Sequence, residues 1–166
     1  MVLKKLREYL DNNHIKYVVL SHSVAYSAQK VAASVHISGK EVAKTVLVNV
    51  NGKMVMAVLP ANYNINFNRL MIALGGGDVF LAPESELLEL FPDCELGAMP
   101  PFGNLYNMEV FVAKSLAEDE EIAFNAGSHT ETIKMDYKDF ARMVEPKEIS
   151  FTTRFDKKTN PHHAAA

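Results

Sequence analysis

The chain has 166 residues, 48% of them hydrophobic and 22% charged, with a formal net charge of −3; this balance suits one globular domain with an adequate core and excludes a disordered chain. The charge also excludes a protein that wraps nucleic acid by bulk electrostatics, so any RNA contact has to be local. No apolar run approaches the roughly 20 residues of a membrane helix. The single cysteine, Cys94, cannot form an internal disulfide, and charges interrupt the leucines of residues 1–14 in a way that does not suit a signal peptide, so a reducing cytoplasm is the expected setting.

Along the chain, Leu3, Leu6 and Leu10 recur at three- and four-residue spacing, which predicts an amphipathic helix over 2–13, and residues 17–20 read as a short strand. Ala28, Val31, Ala32 and Val35 share one face of a helix over 27–35, which is expected to be buried. The apolar runs 45–50 and 54–59 flank Asn51-Gly52, a pair that takes positive φ at low cost and predicts a two-residue hairpin. Residues 66–74 predict a helix stopped by Gly75 to Gly77, followed by a strand near Val79 and a helix over 83–90. After a loop rich in proline and glycine, strands are expected at 108–113, 122–125 and 132–135, then a last helix at 137–144. Residues 156–166 lack periodicity and should fray as a flexible tail. Helices and strands do not alternate one for one, so the fold class is α+β: a single domain, 1–155, with a mixed, mostly antiparallel sheet or partly closed barrel surrounded by helices.

Chemistry has three candidate locations. Lys44 heads a core strand, where an ammonium is expensive to bury; it either snorkels to water or faces a cleft that takes an anionic or carbonyl ligand. The loop from Gly97 to Gly103, stiffened by Pro100 and Pro101, lets backbone N–H groups approach a ligand and could hold a carbonyl oxygen as it gains charge; it could equally be a rigid turn. The polar loop of Asn125, Ala126, Gly127, Ser128, His129 and Thr130 follows an apolar strand and reads as recognition contacts or an ordinary turn. Other features carry less. Gly75 to Asp78 lacks the ending of a phosphate loop, and His22, His36 and His129 have no metal-ligand spacing, so neither metal nor cofactor is expected. Cys94 reads as a small buried hydrophobe rather than a nucleophile, and the acidic run 118–121 as a solvated connection.

The segments HSVAYSAQKVAASV, EVAKTVLVNVNGKMVMAVLP, ELGAMPPFGNLYNMEVFVAKSL and AGSHTETIKM come in an order that resembles the YbaK/ProX-type aminoacyl-tRNA deacylases, free-standing relatives of the editing domain of bacterial prolyl-tRNA synthetases. The resemblance spans nearly the whole chain. It implies a mixed sheet wrapped by helices and hydrolysis of the ester joining a wrong amino acid to the 3′ end of tRNA. The implied substrate is tRNA(Pro) carrying a small non-cognate residue such as Ala or Cys, with an aminoacyl-tRNA synthetase as a further partner. Lys44 then matches the family's functional lysine, and Gly97 and Pro101 the ends of its Gly-x-x-x-Pro loop; these imply catalytic roles for Lys44 and Gly97. Tyr26, Thr45, Pro101, Phe102, Gly127, Ser128 and His129 are the implied substrate-binding residues, His129 as a selector of the aminoacyl group. In members acting on cysteinyl-tRNA an aspartate follows the late loop; the aligned position here is Thr132, a departure that bears on amino-acid choice. Two rival readings are a non-catalytic binding module of the same fold and a thiol enzyme built on Cys94.

Overall fold

A computed structural model describes residues 2–154, so the tail expected over 156–166 lies outside the described residues. The leucine spacing produces α1 (Lys4–Asn12), which buries Leu6 and Leu10, and the chain turns into β1 (Tyr17–Ser21). Helix α2 (Ala28–Val35) is capped by Ser27, whose hydroxyl accepts from the Lys30 N–H at 3.1 Å. Only Val31 and Ala32 of α2 are buried, so the helix is half-covered rather than the buried one expected, because its other faces meet no further layer.

Asn51 and Gly52 have φ of 51° and 85°, and the hairpin they close joins β2 (Ala43–Val50) to β3 (Lys53–Pro60) in full register from Ala43↔Pro60 to Val50↔Lys53. Strand β4 (Tyr63–Ile65) follows, then α3 (Phe67–Ala73), β5 (Val79–Leu81), α4 (Glu84–Leu90), β6 (Val110–Ala113), the short α5 (Lys114–Ala117), β7 (Glu121–Asn125), β8 (Glu131–Asp136), α6 (Tyr137–Val144), β9 (Lys147–Ile149) and β10 (Thr152–Arg154). The strands form a five-stranded sheet β5-β2-β3-β6-β9, a three-stranded sheet β1-β8-β7 and a two-stranded ribbon β10-β4. Only β3–β6 and β6–β9 run parallel, so the architecture is the expected α+β with mixed, mostly antiparallel sheets; they do not close into a barrel.

Period-two alternation explains why the β3 sequence is almost continuously apolar. Met56 and Val58 enter one core with Leu6, Phe102, Phe124 and Phe140, while Val55, Ala57 and Leu59 enter a second with Leu70 and Phe151. Both faces of β3 are therefore covered. The unforeseen elements, β4, β9, β10 and α5, have only three or four residues, too few to carry a period. The acidic run also differs from expectation. Asp119 is not a solvated link: its carboxylate lies 3.7 Å from Lys40 Nζ, and burial raises its pKa above the usual carboxylate range against the lowering influence of that lysine.

Phe102 lies at the centre of the larger core, its ring 5.5 Å from those of Phe124 and Phe140 and 6.3 Å from that of Tyr9. Replacing it by alanine should cost about 3–5 kcal/mol and lower the melting temperature by roughly 10 °C. Thermal denaturation followed by circular dichroism checks this.

Candidate active site

The start of β2, Ala61 just beyond β3, the first turn of α2 with the two residues before it, β4 and Gly97 line an open cavity of about 420 Å³. Its lining includes Tyr26, Ser27, Gln29, Lys44, Thr45, Ala61, Asn64 and Gly97. Tyr26, Lys44, Thr45 and Gly97, distant in sequence, are thus brought to one place. Asn64 and Ala61 escaped the sequence reading because β4 did, and the hairpin register that places Ala43 opposite Pro60 is what carries them to Lys44.

Lys44 is half-buried, and its ammonium donates to the Ala61 carbonyl at 3.5 Å, the outer limit of a hydrogen bond. Burial lowers its pKa below the ordinary lysine value, with no carboxylate to oppose the effect. Gly97 is exposed, has a φ of 85°, and its N–H donates to no other described residue. It is a backbone donor at the cavity rim.

The late loop is fastened to the Gly97 loop by backbone bonds in both directions. Gly127 N–H donates to the Ala98 carbonyl at 2.9 Å, and Glu95 N–H donates to the Gly127 carbonyl at 2.9 Å. Gly127 has a φ of 102°, and a β-carbon there would stand 3.0 Å from Leu3 Cβ; glycine is required so that α1 and both loops can meet. His129, 6% exposed, is held by every polar group but one. Its N–H donates to Glu95 Oε2 at 2.8 Å, its carbonyl accepts from Ala25 N–H at 3.0 Å, and Nε2 lies 2.8 Å from the Leu96 carbonyl. A carbonyl can only accept, so Nε2 carries the hydrogen, and Nδ1 of the neutral ring is an acceptor. It is buried and has no partner among the described residues. The imidazole packs against Tyr26, ring centroids 4.9 Å apart, and Tyr26 is itself 75% exposed.

Other expected residues sit differently. Phe102, expected to touch substrate, is fully buried in the core, and Pro101 is buried beside it; both stiffen the loop from behind rather than line the cavity, because the loop's apolar side turns inward onto Phe124 and Phe140. Ser128 is buried, its hydroxyl 3.3 Å from that of Thr130 within the same loop. Thr132 is fully buried and its Oγ1 lies 3.0 Å from His22 Nε2. His22 Nδ1 is 2.8 Å from the Ser23 carbonyl and so donates to it, leaving Nε2 to accept from Thr132. No spacing rule joins positions 110 residues apart, so this pair was not visible in the sequence. Cys94 is half-buried with its sulfur 3.7 Å from the Tyr106 hydroxyl, and burial raises the thiol's pKa, the opposite of an activated nucleophile. Among the described residues no three His, Cys, Asp or Glu side chains gather as metal ligands, and no helix is long and apolar enough to cross a membrane.

A profile of the aminoacyl-tRNA editing domain matches residues 22–143. The multifunctional Ser/Thr-tRNA deacylase ProXp-y of Escherichia coli strain K12 is 26% identical over 153 aligned positions, and the match covers 89% of this chain and 91% of that protein. Two solved structures share the fold. The hypothetical protein APE2540 superposes with a TM-score of 0.81 at 20% identity, over 90% of this chain and all of that one. A protein assigned as a trans-editing enzyme for prolyl tRNA synthetase superposes with a TM-score of 0.78 at 16% identity, over 91% of this chain and 96% of the other.

Two stability measurements probe this arrangement. Gly127→Ala should lower the melting temperature more than Gly97→Ala. Both force a side chain into the left-handed region at about 1–2 kcal/mol, but only at Gly127 does the new methyl press on Leu3, whereas at Gly97 the nearest atom, His129 Cε1, is an ordinary 3.7 Å away. Lys44→Met should stabilise the protein at pH 7. Because burial lowers the lysine's folded pKa, the unfolded chain binds more protons here, and the cost of the ammonium is present below the folded pKa and fades as pH rises through it. Solvent screening keeps the gain to about 1 kcal/mol or less, a rise of ~2–4 °C. The difference from the parent protein should shrink as pH approaches about 10.4, checked by melting curves across pH.

Proposed function

The chain belongs to the aminoacyl-tRNA editing domain family and is a hydrolase of the aminoacyl-tRNA ester bond, and from that premise we propose that the cavity beside Lys44 takes a small, hydroxyl-bearing aminoacyl group from a mischarged tRNA(Pro). The observation that carries this reading is the unpartnered acceptor of His129. The His129 ring lies behind the cavity lining, its centroid 4.9 Å from that of Tyr26 and its Cε1 3.7 Å from where a β-carbon on Gly97 would stand; Tyr26 and Gly97 line the cavity. A buried acceptor without a donor favours a ligand that brings one. A serine or threonine hydroxyl does so, and an alanine methyl does not. The Ser/Thr specificity printed in the name of the Escherichia coli relative agrees with this choice over Ala or Cys.

The chemistry needs no strong nucleophile, because the ester is already activated. Water adds to the carbonyl carbon, the carbonyl oxygen becomes an oxyanion, and the carbon–oxygen bond to the ribose breaks as the 3′ oxygen takes up a proton. The Gly97 N–H donates to the developing oxyanion, and Lys44 adds positive charge at the carbonyl or the terminal phosphate. The family resemblance supplies the ribose hydroxyl as the group that helps activate water. Size alone discriminates weakly, since one methylene is worth only about 1–3 kcal/mol, so the hydroxyl contact adds what size cannot.

The test is release of labelled amino acid from tRNA(Pro) and cognate tRNAs carrying Ser, Thr, Ala, Cys or Pro. Seryl or threonyl release should be fastest. Lys44→Ala should lower it by a factor of roughly 10²–10³, and His129→Ala should shrink the preference over alanine by about tenfold. Equal rates for serine and alanine in the parent protein would overturn the proposed selector.

A further inference from the structure

Strand β5 ends the five-stranded sheet, hydrogen-bonded to β2 on one side and, among the described residues, to no strand on the other. Residues of an antiparallel ladder turn their N–H and C=O alternately toward the partner and away from it. Asn51 N–H donates to the Asp78 carbonyl at 2.9 Å and Ala82 N–H to the Leu47 carbonyl at 3.0 Å, and Phe80 lies opposite Asn49 between them. Asp78, Phe80 and Ala82 thus direct their backbone groups to the β2 side. Val79 and Leu81 direct theirs to the open edge, and neither makes a backbone bond outside the sheet among the described residues.

Edges of this kind are normally guarded by charge, proline or a covering element. On β9, the opposite edge of the same sheet, Lys147 and Glu148 supply the charge, and on β1 the exposed Val18 lies opposite Lys134 and two residues from Lys16. No residue of β5 is charged, and its cross-strand neighbours are Val48, Asn49 and Val50. Phe80 is 50% exposed and Leu81 57%, on opposite faces of the strand. Helix α3 packs against β5 and exposes Ile72, while α4, which follows β5 closely, buries none of its residues and exposes Leu88. Together these four side chains expose on the order of 400 Å² of apolar surface around the edge, in the range where a protein's largest patch is often functional. The surface does not suit tRNA, since α4 carries Glu84, Glu86 and Glu89 and no basic residue.

We propose that the β5 edge is a dimer interface, pairing with the same strand of a second copy across a two-fold axis centred on Phe80. The edge is self-complementary in that arrangement. Val79 faces Leu81 of the second copy and the two exchange both backbone bonds, as does the reciprocal pair, while the two Phe80 residues meet as a non-hydrogen-bonded pair with Cα atoms about 4.5 Å apart. The acidic helices do not oppose this. With Phe80 as the centre, the two Pro83 residues that precede α4 are separated along the ribbon by roughly 20 Å, beyond the ~8 Å over which unscreened charges act in physiological salt. Two copies of the patch supply about 800 Å² before the strand backbone is added, the low end of specific interfaces, so the dimer exchanges with monomer at micromolar concentration. The cavity stays open, because Lys44 lies roughly 17 Å along β2 from Asn49, the residue opposite Phe80. The dimer therefore carries two independent sites, and its existence does not rest on what the cavity binds.

Sedimentation velocity of the parent protein from about 1 to 200 µM should show monomer at the low end and mostly dimer at the high end. Phe80→Lys, which places a guarding charge at a half-exposed position, should stay monomeric at ~200 µM while keeping the parent's melting temperature at ~1 µM. A second pair of variants tests the register whether or not that lysine is tolerated. For Phe80→Cys on a Cys94→Ser background, the Cα separation across the axis falls within the disulfide range of about 4.4–6.8 Å, so oxidation at ~100 µM should cross-link most of the protein. Asp78→Cys on the same background, with Cα atoms more than about 13 Å apart, should not cross-link. A parent protein that is monomeric at every concentration, a Phe80→Lys variant that dimerises like the parent, or equal cross-linking of the two cysteine variants would overturn the interface. So would an assembly that forms only when tRNA is added, which would give the edge to nucleic acid.

Discussion

Strand β3 is covered on both faces, with Met56 and Val58 in one core and Val55, Ala57 and Leu59 in the other, and this double burial constrains everything around it. A one-residue slip against β2 would exchange the two sets and send the Lys44 side of β2 into the wrong layer. The Asn51-Gly52 turn and the eight paired positions prevent that slip. The far end of the hairpin is therefore a rigid place, and there Lys44 and the Ala61 carbonyl meet. A site built at the end of a doubly buried hairpin inherits the precision of the core without being part of it.

The second fixed element is backbone rather than side chain. Glu95, Ala98 and Gly127 tie two loops from different parts of the chain into one wall, and Leu3 N–H donates to the Ala126 carbonyl at 2.8 Å from the other side. Function and packing meet at these glycines: Gly127 has no room for a methyl, whereas Gly97 has room and lies at the rim. The β4–β10 ribbon closes the smaller core through Ile65 and Phe151 while presenting Arg154 outward.

Much of the fold was legible because its main elements are long and periodic. The leucines of α1 and the Asn-Gly turn each state their geometry in the sequence. The three-residue strands β4, β9 and β10 do not, since pairing with distant partners defines them, and with β4 went Asn64. At the site, Lys44 was legible as a charge out of place on an apolar strand. The inward turn of Phe102 was not, because a Pro-Pro-Phe run fits a ligand-facing loop as well as a core-facing one. The His22–Thr132 pair is a tertiary contact with no local signature.

Two features, one on the cavity wall and one behind it, cost stability in the free protein. Lys44 holds a half-buried ammonium on one long hydrogen bond, and His129 holds a buried ring nitrogen with no partner. The unpartnered buried nitrogen costs about 1–3 kcal/mol and the solvent-screened ammonium about 1 kcal/mol or less, and apolar replacements could remove either. Neither group can relax toward the other's chemistry: the lysine only donates, and the neutral imidazole nitrogen only accepts. Their immediate neighbours are a backbone carbonyl and an aromatic ring, fixed by the hairpin and by the two-loop zip. In the proposed reading, a ligand with an acceptor at one end and a hydroxyl at the other satisfies both groups at once. The hydroxy-aminoacyl ester we propose as substrate has that shape, and on that proposal its carbonyl gains charge toward Lys44 and Gly97. The interaction at the carbonyl strengthens as the oxyanion forms, while the hydroxyl contact does not change. On that proposal the first acts on rate and the second on selection.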